Sequence, residues 1–296
     1  MTKMNVDLHY HGPASFHPIW LYRQGYAGKN ILKEITDSCM KNDIDICTIV
    51  SRSSSKKVER GTADDRFWYL LKESRQLPEE YLPIQIGDNL LSVRRGEKTI
   101  YILNAQSVFV EHNGRMVESI IVGTNRQNNG QGMKELLRDT WFRDNLINIA
   151  EHPFSIDHCG LGYMGLEKFI DYYDAIEGHN SQFILPRFLG KIRKIGDYTR
   201  AVNERARAYA ESRNKPWVAT SDGHIIEEVG ISHIEVEGIS ILSEESLLRD
   251  MKIAIRENRF TNICRYPKIT NWLSWTLKFE LQETLDRCGI KTNKSR

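Results

Sequence analysis

No apolar run in this 296-residue chain approaches the roughly 20 residues that span a bilayer, and the N-terminus lacks the apolar core of a signal peptide. Both absences set membrane insertion and secretion aside, and a cytoplasmic protein is expected. Cysteine is scarce. The five present, Cys39, Cys47, Cys159, Cys264 and Cys288, are odd in number and form no Cys-x-x-Cys pair. A secreted disulfide framework is therefore excluded in favour of a reduced chain. Neither sign of charge dominates: 41 basic and 39 acidic side chains leave a formal charge of +2. Such a chain has no global field to draw in nucleic acid or an anionic membrane surface. Internal repeats and low-complexity tracts are missing, as are a nucleophile-elbow motif, a Walker A loop and a Gly-x-Gly-x-x-Gly turn.

What the chain has is alternation. Residues 4–9, 44–50, 82–86, 99–103, 146–150, 175–177 and 217–220 read as strands. Residues 30–41, 64–74, 133–145, 166–172, 197–212 and 243–257 carry helical spacing, the last with Ser243 and Ser246 as candidate caps. A turn falls at 94–97, a hairpin is expected about Asn113-Gly114, and 125–132 is a loop rich in Gly, Asn and Gln. Strand–helix alternation favours a parallel sheet or barrel, in which chemistry sits at the C-terminal ends of the strands. Those ends hold His9 and His11, Ser51 and Arg52, Asp88, His152, Glu177 and His179, and Asp222 and His224. Nearly all are metal-ligand types. One domain is expected over 1–264, with 265–296 as a C-terminal extension containing Trp272 and Trp275.

Asp7-Leu8-His9-Tyr10-His11 and Ser221-Asp222-Gly223-His224 stand near opposite ends of the chain. On a strand, residues i and i+2 share a side, so each pair can reach one ion. The competing readings are hydrogen-bonded imidazoles on a half-buried strand for the first and a polar turn for the second. Glu151-His152-Pro153 is a weaker signal, since proline after a strand is ordinary punctuation. Histidines and carboxylates together suit Zn, Mn or Fe. A pair of such ions about 3.5–4 Å apart can activate a water and hold a phosphoryl oxygen.

These motifs resemble the PHP (polymerase and histidinol phosphatase) family, and the resemblance implies an α/β fold, a distorted (β/α)7 TIM-like barrel. The Asp-Leu-His-x-His opening is similar to the family's first motif, and the loop from His11 to His17 implies a ligand role for His17. Ala150-Glu151-His152-Pro153 resembles an Ala-His-Pro motif with one residue inserted. Ala175-Ile176-Glu177-Gly178-His179-Asn180 resembles a Glu-x-x-Asn strand end, and residues 203–224 resemble the last helix–strand unit with its Ser-Asp-x-His motif. The likeness spans roughly residues 4–260. Three departures stand out: Val50-Ser51-Arg52 replaces Thr-Asp-His, Asp88 stands where a bridging Glu is expected, and the family's next histidine has no counterpart in the region of Tyr101. Arginine does not ligate metal but pairs with phosphate.

The resemblance implies a metal-dependent phosphoesterase that hydrolyses a phosphomonoester or a nucleotide or nucleic-acid end by metal-activated water. Metal ligands are expected among His9, His11, His17, Asp88, His152, Asp222 and His224, with Asp88, Arg52 and His152 as catalytic residues. One to three divalent ions (Zn, Mn or Fe) per chain would serve. The partner would be a phosphorylated small molecule or nucleotide, or nucleic acid met by the basic, aromatic stretches 66–69 and 191–194, and no membrane is involved. The rivals are a non-catalytic PHP-like protein with a partly decayed metal site, acting as a structural or regulatory partner, and a metal hydrolase of non-phosphate bonds.

Overall fold

The structure, a computed structural model, describes residues 3–13, 25–52, 58, 64–156, 158–191, 196–273 and 276. Its strands in chain order are β1 (Lys3–Tyr10), β2 (Ile46–Ser51), β3 (Tyr81–Gln85), β4 (Leu90–Arg95), β5 (Lys98–His112), β6 (Arg115–Val122), β7 (Ile147–Ala150), β8 (Ala175–Asn180), β9 (Trp217–Thr220), β10 (His233–Glu237) and β11 (Phe260–Ile263). The helices are α1 (Ile31–Lys41), α2 (Arg66–Glu73), α3 (Met133–Trp141), α4 (Gly162–Phe169), α5 (Arg200–Ser212) and α6 (Glu244–Arg256).

Strands β1, β2, β5, β6, β7, β8 and β9 stand side by side in that order. A parallel bridge from Tyr10 to Gly223 returns the last strand to the first. The chain therefore forms the distorted, barrel-like α/β sheet expected of it. The closing bonds join the two histidine motifs themselves: Asp222 N donates to His9 O at 2.6 Å, and His11 N to Gly223 O at 3.0 Å. Pairing around the barrel is parallel except at β6, which runs antiparallel to both β5 and β7. The cause is local. Asn113 and Gly114, at φ 50° and 75°, form the tight turn that sends β6 straight back along β5.

Two details depart from the sequence reading. The turn at 94–97 does not link strands 82–86 and 99–103; β4 lies between them, forming one hairpin with β3 and another with β5. β10 and β11, only five and four residues long, extend the sheet antiparallel from β1 and were not expected.

Inward residues from all seven barrel strands meet α6 in one buried cluster. Val6 and Leu8, Val50, Ala105, Ile120, Ile149, Ala175 and Val218 pack with Leu247, Leu248, Met251 and Ile255. α6 thereby plugs the N-terminal mouth. Ser243 and Ser246 start it with a reciprocal capping box. Lys252 Nζ donates to Trp141 O and Arg143 O at 3.1 and 2.9 Å, and Arg256 Nε to Asp174 at 2.6 Å, tying α6 to the segments that lead into β7 and β8.

At the opposite mouth, two one-residue bulges re-aim side chains. In β1 the register against β2 slips between Asp7 and Tyr10. Val6 and Leu8 face the barrel core, and Tyr10 joins the outer cluster under α1. The extra residue switches the parity, so His9 and His11 also turn inward. In β8 the slip lies between Glu177 and His179, against β9. Glu177 and Asn180, three apart rather than two, come to share the inner face, where they hydrogen-bond at 3.2 Å.

Candidate metal centre

His9, His11, Asp222, His224, Glu151, His152 and Glu118 converge at the C-terminal mouth, all buried except the partly exposed His224. The backbone conformations are unusual at two of them: Asp222 has φ 46° and His152 φ 22°, both left-handed. Such geometry in a non-glycine residue costs energy and marks sites whose surroundings force it.

Three imidazoles are fixed in one tautomer by partners behind them. His9 Nδ1 donates to Glu177 Oε1 at 2.7 Å, His11 Nδ1 to Val50 O at 3.1 Å, and His224 Nδ1 to Asp222 O at 2.7 Å. For His9 and His11 this turns Nε2 toward the cluster. His9 and His11 Nε2 lie 3.0 Å apart, and Asp222 Oδ1 lies 3.3 and 3.4 Å from them. Glu151 Oε1 is 3.5 Å from His9 Nε2 and 3.4 Å from His152 Nε2. Atoms bonded to one cation at about 2.0–2.2 Å in a tetrahedral or octahedral shell stand about 3.0–3.5 Å apart. The donor set therefore fits a divalent ion. Three overlapping groups, His9–His11–Glu151, His11–Asp222–His224 and Glu118–Glu151–His152, each bring their ligand atoms within 4.8 Å of one another.

Glu177 holds this arrangement from behind. Besides His9, it accepts from Thr220 Oγ1 at 2.5 Å, His152 N at 2.7 Å and Asn180 Nδ2 at 3.2 Å. Ser107 Oγ fixes Glu151 at 2.7 Å. Arg66 donates to the carbonyls of His11 and Val50, holding the ends of β1 and β2 together.

Charge is shared unevenly across the cluster. Burial opposes a proton on His9, but Asp222, Glu177 and Glu151 outweigh it and push its pKa up to about 10. His152 likewise rises against burial, to about 9, through Glu151 and Glu177. Burial lowers His224 to about 4, and it lowers His11, with the neighbouring His9 adding to the effect. Glu118 is pushed up to about 7 by burial and by Glu151, despite Arg52. Protons on His9 and His152 thus supply the positive charge that a divalent ion would bring.

The cluster floors an open cleft whose other lining includes Arg52, His158, Gln182, Phe183, Tyr198 and Thr276. Of the expected site residues, His9, His11, His152, Asp222, His224 and Arg52 come together here, and His17 lies outside the described residues. Asp88 does not. It is exposed in the β3–β4 turn, where its neighbour Asn89 is bound through N and Nδ2 by Glu244 at 2.7 and 2.8 Å. The interposed β4 carries Asp88 away, and Glu151 provides the carboxylate shared by two ligand groups instead. His179 faces outward to Arg265 O at 3.0 Å and the Tyr266 ring.

Glu118 and Glu151 were not expected as ligands. Glu118 lies on the second strand of the hairpin expected about Asn113-Gly114, where nothing in the sequence marked it as inward-facing, whereas Glu151 stood in plain view beside His152.

A family model described as PHP-associated matches residues 200–259, from α5 through β9 to α6. No curated protein matches the chain in sequence. Among solved structures, PsfC from Pseudomonas syringae PB-5123 superposes with a TM-score of 0.56 at 14% identity, covering 96% of this chain and 100% of that one. This likeness is one of fold. The matched segment carries Asp222 and His224, which lie with His9 and His11 in the cluster.

Proposed function

We propose that this protein is a metal-dependent phosphoesterase acting on a phosphomonoester or a nucleotide end. The observation that carries the reading is the convergence of the His9 and His11 Nε2 atoms with Asp222 and Glu151 beneath a cleft, with His224 grouped beside His11 and Asp222. A divalent ion held there would supply Lewis acidity, lowering the pKa of water and drawing charge from a phosphoryl oxygen. The chain's own groups do the rest. Arg52, half-exposed in the cavity wall, is a fixed cation for phosphate. His152, held by Glu177 through its backbone, keeps a proton near the reacting group. The buried walls exclude bulk water and strengthen each of these interactions.

The test is hydrolysis of a panel of phosphomonoesters, with amide substrates alongside, by metal-loaded wild type and His9→Ala. Phosphate release by wild type, lowered by at least about 100-fold in the variant together with metal content, is expected. Full activity in His9→Ala would rule the centre out. A second reading, a non-catalytic PHP-like partner protein, draws on the Arg52–Glu118 ion pair, which occupies one carboxylate of the cluster. Absence of hydrolysis across the panel by metal-loaded protein would favour it.

A further inference from the structure

The centre has room for fewer ions than its ligand groups suggest. His11 belongs to two of the three groups, yet its Nδ1 is committed to Val50 O, leaving one ring nitrogen. One lone pair binds one ion, so among the described residues the His9–His11–Glu151 and His11–Asp222–His224 groups cannot both be filled. They are alternative coordination sets of a single position. Any second position is Glu118–Glu151–His152.

That second position already has a cation. Arg52 Nη2 lies 2.6 Å from Glu118 Oε1, while Glu118 Oε2 lies 3.7 Å from His152 Nε2. The guanidinium is steadied over the Phe109 ring at 5.1 Å. Glu118 itself is buried, so its charge requires a partner. Arginine cannot lose its proton to make way for a metal, as histidine can.

We propose that Arg52 is the resident second cation: one divalent ion binds at His9 and His11, and the guanidinium takes the place of another beside Glu118. The inference deepens the metal-binding part of the reading above and does not depend on hydrolysis. The experiment is elemental analysis after loading with excess Mn²⁺ or Zn²⁺ and removal of free metal, each protein first shown to fold by circular dichroism. Wild type is expected to hold one ion per chain, and Arg52→Gln, which removes the charge but keeps most of the side chain, to hold two. Glu118→Gln should leave the wild-type count at one and return the Arg52→Gln background to one. This variant keeps the test decisive if Arg52→Gln does not fold. Two ions in wild type, a count unchanged by Arg52→Gln, or loss of the single ion in Glu118→Gln would each overturn the assignment. No ion in any folded protein would overturn it together with the metal-site reading itself.

Discussion

Both oxygens of Glu177 are committed, Oε1 to His9 and Thr220 and Oε2 to His152 N and Asn180. A carboxylate behind a ligand imidazole raises its basicity and fixes its aim, and losing one typically costs about 10–100-fold in metal affinity. Glu177→Gln is therefore expected to weaken metal binding by that order, because an amide nitrogen cannot accept from His9 or His152. Competition against a chromophoric chelator measures it. Wild-type affinity in the variant would show that β1 alone orients His9. The same residue shows what one-dimensional reading gives and withholds. Glu177 was visible as part of a Glu-x-x-Asn pattern, but its task depends on atoms from β1, β7 and β9 that only the closed barrel brings together.

Among the elements, the bulge in β8 depends on Gly178. A Cβ there would stand 2.7 Å from Trp217 Cε3 and 2.8 Å from Trp217 Cβ, closer than packed atoms allow. Gly178→Ala should cost about 1–3 kcal/mol, as overpacking of a buried site does. It should also reduce metal affinity, since the shift that relieves the clash moves Glu177. Urea denaturation and metal titration of the same protein check both effects, and a loss of stability with unchanged metal binding would separate the bulge from the centre. Elements with strong local signals, such as α1, α6 and β9, were readable from residue spacing and caps. Strands β4, β10 and β11 were not, because runs of four to six residues carry too little periodicity of their own. The bulges were invisible for a different reason: they are defined by a partner strand, and register is not a local property.

At the scale of the whole molecule, the barrel class followed from alternation and the order of motifs, whereas the identity of the shared carboxylate did not. Asp88 and Glu151 are equally good ligands on paper, and the path of β4 decides between them. The buried charge also makes stability depend on pH. His9, raised in the fold to about 10 from 6.5, contributes stability that is full below about pH 6.5 and is lost as pH rises through 10. Glu177 is lowered from 4.5, against burial, chiefly by His9, so its contribution is full above about pH 4.5 and falls away in acid. In chelator-treated protein, these two groups should add most to the melting temperature between about pH 4.5 and 6.5. Thermal scans of wild type and Glu177→Gln across pH 3–9 test this, and parallel curves would contradict it.

The hydrogen bonds that close the barrel also set a timetable. Asp7 and Ser221, whose side chains lock β1 to the turn after β9 at 2.5 Å, are 214 residues apart. At roughly 5–20 residues per second, a ribosome needs about 10–40 s to travel from one to the other. Throughout that interval the first two histidines have left the tunnel without Asp222 or His224. A nascent chain therefore offers metals only part of the set, first the imidazole pair and later Glu118, Glu151 and His152, and the centre is complete only when the ninth strand docks against the first. An ion that filled the complete set would then be chosen from the metals that the finished apo-barrel encounters, after synthesis rather than during it.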